Sequence, residues 1–164
     1  MRELVSTLIL TLEKEEQIYN EVLALAKDKK SVLIDGKMKE LEEITKKEQN
    51  YVVSLIKVEE AREKTVQQLL KELGVASVEN ITELVQHLDS EERLAVEKAK
   101  RTLQHTVKFV DIENEFNQKL IQQSLDLLEL NMEVLTDYSS TGTNYQGSGS
   151  DQHKEKKSIF DAKV

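Results

Sequence analysis

His87, His105 and His153 are the first residues to weigh for chemistry in this chain. None has a partner at the spacing that a metal site or a catalytic triad requires. They read as surface or bundle histidines. The abundant carboxylates invite a di-iron bundle, but that site also needs Glu-x-x-His on two helices, and no such motif occurs. There is no glycine-rich phosphate loop and no Gly-x-Ser-x-Gly elbow. The absence of cysteine excludes thiolate nucleophiles, disulfides and cysteine zinc sites. No catalytic residue, metal ligand or cofactor is expected, and the chain reads as a non-enzyme.

What remains is polar chemistry placed on helical stripes. Residues 114 to 138, NEFNQKLIQQSLDLLELNMEVLTDY, set on a heptad grid, bring Asn114, Asn117, Ile121, Ser124, Leu128, Asn131, Leu135 and Tyr138 to one side. A buried asparagine left without partners costs about 1–3 kcal/mol, so three of them weaken a purely oily seam. Two readings follow. The polar residues fix register inside a permanent bundle, or they belong to an interface that opens and re-forms. In the second case the half-polar stripe tolerates water when empty. A similar choice arises at Glu48, Glu59 and Arg62. Either these charges fix register by pairing, or the stripe drifts so that Ile44, Tyr51 and Val58 turn inward and the charges reach solvent.

The elements that must position these residues are helices. Proline is absent, glycine occurs 5 times, aromatics make up 4% and charged residues 33%, a balance that predicts an all-α fold. Residues 2–34 step through Leu8, Leu12, Glu15, Tyr19, Val22 and Ala26; Asp35-Gly36 supplies a tight reversal; residues 38–73 resume the pattern through Leu41, Thr45, Glu48, Val52, Leu55, Glu59, Arg62, Val66, Leu69 and Leu73, and Gly74 caps it. These two arms predict an elongated antiparallel helical bundle built on a coiled-coil hairpin. A three-turn helix over 78–88, capped by Ser77, presents Ile81, Leu84, Val85 and Leu88 to one end of it. Asp89 with Glu92, or Ser90 alone, opens a last helix over 91–138, about 70 Å long at 1.5 Å per residue. Its end is expected to overhang the arms or to pack loosely. The helical domain thus spans 1–138, and residues 139–164 read as a glycine- and serine-rich flexible tail. The tail ends in SIFDAKV, where Ile159, Phe160 and Asp161 form either a docking motif or an inert terminus.

The net charge is −8, with +1 in residues 139–164 and −9 in residues 1–138, which argues against a nucleic-acid partner. The first apolar run, in MRELVSTLILTLEKEEQIY, is too short and too soon interrupted for a signal peptide or membrane insertion, so a cytoplasmic location is expected.

Two stretches, YNEVLALAKDKKSVLIDGKMKELEEITKKEQNYVVSLIKVEEAR and the 114–138 segment, carry a family likeness. In order along the chain, Glu15, Tyr19 and Leu23, then Lys30 and Gly36, then Leu41, Glu48-Gln49 and Arg62, match a pattern that continues in Asn114, Asn117, Leu120, Ile121, Ser124 and Leu125. It closes at Tyr138 and Gly142. Over residues 4–138 the chain resembles the FlgN family of flagellar export chaperones, which serve type III secretion in bacterial flagellum biogenesis. The resemblance implies two clients, the hook–filament junction proteins, bound mainly by the C-terminal helix, whose half-polar stripe would take up a client's amphipathic helix with anchors near Leu120, Ile121, Leu125, Leu128, Leu135 and Tyr138. It also implies delivery to the flagellar export gate, with the chaperone monomeric when loaded. From another class, the same stripes suit a self-assembling coiled-coil scaffold, or a regulatory module that frees a second partner when a client leaves.

Overall fold

In a computed structural model, which describes residues 1–141 and their side chains as far as residue 136, the described residues form an all-α fold. Helix α1 spans Arg2–Asp35, α2 Met38–Leu73, α3 Ile81–Leu84 and α4 Ser90–Thr141. The described residues form two compact units, Met1–Leu125 and the stretch from Asp126 onward.

Both joints of the first unit's hairpin follow from glycine. Gly36 and Gly74 adopt φ 67° and 68°, a left-handed conformation that costs a residue without Cβ little. After α1 the Gly36 amide donates to the Leu33 carbonyl and the Lys37 amide to Val32. After α2 the Gly74 amide donates to Lys71 and Val75 to Leu70. The two ends therefore share a Schellman closure, which satisfies carbonyls the helices would leave bare.

The third segment departs from expectation. Instead of a helix over 78–88 capped by Ser77, a single α-turn at Ile81–Leu84 runs into a 3₁₀ turn at Val85–His87. Asn80 displaces Ser77 as the cap. Its side chain accepts from the Glu83 amide at 3.1 Å, and the Glu83 carboxylate accepts from the Glu79 amide at 2.7 Å. That reciprocal pair starts the helix three residues late. The apolar face still arrives, since Leu84 and Val85 are fully buried with Ile81 and Leu88 beside them. At the start of α4, Asp89 accepts from the Glu91 and Glu92 amides at 3.0 and 2.9 Å, as its position predicts.

Cross-helix pairs give the directions. Glu15 meets Arg62 and Lys29 meets Glu48, so α2 runs antiparallel to α1. Glu16 meets Thr106 and Ala26 meets Asn117, so this part of α4 runs parallel to α1. The main core joins Val5, Leu8 and Leu12 of α1 to Leu69 of α2, Leu84, Val85, and Val96 and Leu103 of α4. Burying each such side chain stabilises the fold by roughly 1.5–3 kcal/mol. A smaller cluster of Leu25, Val32 and Ile44 holds the hairpin tip, flanked by Leu41 and Tyr51.

Along α2 the drifted stripe prevails. Ile44 and Val58 are buried and Tyr51 is partly buried, while Val52 is 54% exposed. The charges pair as well. Arg62 donates to Glu15 at 3.0 Å and to Glu59 at 2.5 Å, and Lys29 reaches both oxygens of Glu48 at 3.0 and 2.9 Å. Both readings of that stripe thus hold in part, because a helix of this length cannot keep one strict face inward.

In the second unit, residues 126–136 are one stretch of α4. No helix among the described residues is long and apolar enough to cross a membrane.

Candidate functional site

One heptad position of α4 changes chemistry along its length. It is filled in turn by Val96, Leu103, Val110, Asn117, Ser124 and Asn131. Val96, Leu103, Val110 and Asn117 are buried, whereas Ser124 and Asn131 are exposed. Asn117 is the last inward residue of the series. It is 2% exposed, and its Nδ2 donates to the Ala26 carbonyl at 2.8 Å. Its Oδ1 is buried and has no hydrogen-bond partner among the described residues. Near it Lys30 binds α4 to α1 twice, with Nζ 3.6 Å from Glu113 and 4.2 Å from the Phe116 ring centre.

The other residues expected to bind a partner lie outside the core. Asn114 is exposed, Leu120 is half-buried, and Ile121 and Leu125 are exposed. Ser124 turns its hydroxyl back to the Leu120 carbonyl at 2.9 Å, a local bond that keeps it helical rather than aiming it at a partner.

In the second unit, Leu128 is 61% and Leu135 68% exposed, with Leu127, Leu130, Met132 and Val134 also exposed. At 100° per residue Leu127, Leu128, Asn131, Val134 and Leu135 share one side, while Asp126, Glu129 and Glu133 take the other. An exposed apolar face of this kind, rimmed by charge, is a candidate interaction surface. Tyr138 falls within α4, but its side chain lies outside the described residues, as do Ile159, Phe160 and Asp161 altogether.

Within the first unit, α1, α2 and α4 enclose a groove of about 390 Å³. Its apolar walls are Val22, Tyr51, Val52, Leu55 and Ile121, and Asn117 lines it too. Sequence spacing assigned Val22, Val52 and Leu55 to core stripes and so missed the groove. A sign was present in the apolar run Tyr51, Val52, Val53, Leu55, Ile56 and Val58, which at 100° per residue spreads over about 220° of the helix, too wide for one buried stripe.

Buried charge is concentrated at Glu15, 6% exposed. Burial pushes its carboxyl above the ordinary range, Arg62 draws it down and Glu59 pushes it up. Burial, and then Glu15, likewise raises Tyr19. Glu15 and Arg62 bridge α1 and α2. His87 and His105 are exposed, and His105 stacks edge-on against Phe109 with centres 4.8 Å apart. Among the described residues no cluster of His, Asp and Glu could hold a metal ion.

The chain is 25% identical over 118 residues to the uncharacterized protein YvyG of Bacillus subtilis strain 168, covering 72% of each chain. No solved structure matches it at a significant level. The sequence model of the FlgN protein family matches residues 1–153. The chain therefore belongs to the FlgN family of flagellar export chaperones, a family of chaperones and not of enzymes.

Proposed function

We propose that this protein masks the terminal helices of the hook–filament junction proteins in the cytoplasm and delivers them to the flagellar export gate. The observation that carries the reading is the amphipathic stretch 126–136, in which six large apolar side chains are exposed on a helix. An uncovered apolar face of this length favours association, and an amphipathic client helix can cover it by coiled-coil-like packing. Masking the client's own apolar stripe in the same step removes the surface through which it would aggregate. Asn131, in the middle of the face, leaves the free helix compatible with water and fixes the register of the bound one.

The test is calorimetric titration with peptides covering the terminal helices of the two junction proteins, using the intact chain and a Leu128→Asp/Leu135→Asp variant. The chaperone reading expects one-to-one binding that the variant loses, with helicity and melting temperature kept because both residues are exposed. No binding, together with self-assembly that the same variant abolishes, would replace it with the coiled-coil scaffold.

A further inference from the structure

We propose that the groove enclosed by α1, α2 and α4 is a second docking site, for an uncharged face of a client helix that brings a hydroxyl or amide donor to Asn117. The inference rests on the chaperone reading and deepens it. Its residues all lie in the first compact unit, so it does not depend on the exposed face at 126–136.

The lining selects the occupant. Val22, Tyr51, Val52, Leu55 and Ile121 make the walls apolar. The groove's ion pair, Lys29 with Glu48, is closed on itself, with Nζ within 3.0 Å of both carboxylate oxygens. A charged side chain entering would lose water and find its counter-charge already engaged. The complementary surface is therefore neutral. A helix suits it better than an extended strand, because the backbones of all three walls are already hydrogen-bonded internally and offer a strand nothing, whereas a helix satisfies its own.

Asn117 supplies the specificity. Its amide nitrogen is committed to Ala26, and its carbonyl oxygen is a buried acceptor without a partner, the costly state for such a group. A serine, threonine, asparagine or glutamine on the client would meet it. Val52, on the α2 wall, stands half out of the surface and is positioned to be covered.

The chain has no cysteine, so Val52→Cys carries a single environment-sensitive fluorophore. It is titrated with the junction-protein helix peptides, and Val52→Asp is tested beside it by calorimetry. The proposal expects blue-shifted emission that saturates at one equivalent, and affinity at least tenfold weaker in Val52→Asp with melting unchanged. If Val52→Asp melts early, Val52→Ser replaces it in the affinity comparison. A silent probe or an unchanged affinity, while the intact chain binds and Leu128→Asp/Leu135→Asp does not, overturns the groove and leaves the chaperone reading standing. Failure of the intact chain to bind overturns both. The donor is the Ser, Thr, Asn or Gln of the peptide whose replacement by Ala weakens binding; if none does, the role given to Asn117 falls.

Discussion

Leu103 and Leu128 are the same residue type on the same helix, each on a stripe of coiled-coil spacing, yet Leu103 is buried against the main core and Leu128 stands well out of the surface. Around Leu103 the inward heptad position is filled by Val96 and Val110; past Asn117 the same position holds Ser124 and Asn131. Periodicity alone marks a face and says nothing of what covers it. The polar residues Ser124 and Asn131 mark where this position leaves the chain's own core.

Cutting back each leucine sharpens that contrast most. Leu103→Ala should lower unfolding free energy by about 2–5 kcal/mol through lost burial and the cavity left behind. Leu128→Ala should change it by less than about 0.5 kcal/mol. Urea denaturation of both variants decides, and equal costs would mean the face at 126–136 is covered within the chain.

Next in size is the charged layer of the hairpin. Arg62→Ala strands the buried Glu15 carboxylate, and a loss of about 2 kcal/mol is expected, discounted because Arg62 keeps some solvent contact. The same denaturation series reads it out; a neutral result would show that Glu15 finds other partners.

The asparagines follow. Asn117→Ala removes the bond to Ala26 and should cost about 1 kcal/mol, whereas Asn131→Ala should stay within about 0.5 kcal/mol. A reversed order would put the limit of the intramolecular seam in the wrong place.

The smallest effect is on pH dependence. Since burial raises the Glu15 pKa above its ordinary 4.5, the folded chain holds this proton more tightly than the unfolded chain. The group's contribution to stability is therefore full below 4.5 and is lost as pH rises through the raised folded value. Glu15→Gln should remove that decline, seen as a flatter stability profile from about pH 4 upward. An unaltered profile would assign the slope to other carboxylates.

The sequence by itself determined what acts over a few residues. The helical class follows from composition, the joints at Gly36 and Gly74 from the conformational freedom of glycine, and the opening of α4 from the Asp89 side chain. The ordered matches from Glu15 to Tyr138 were also enough to carry the family likeness, which the match over residues 1–153 bears out. The cap of α3 was misplaced because Ser77 and Asn80 are both competent, and only the reciprocal bond with Glu83 chooses between them.

Tertiary structure alone decided which members of each stripe are covered. Ile44 and Val58 turned inward while Val52 turned out to line a groove. Of three asparagines that looked alike in the sequence, Asn117 found a backbone carbonyl on another helix, and Asn114 and Asn131 stayed in water. Burial is a property of what a neighbouring helix brings across the gap. That partner lies as many as 91 residues away for Asn117, beyond the reach of any local pattern.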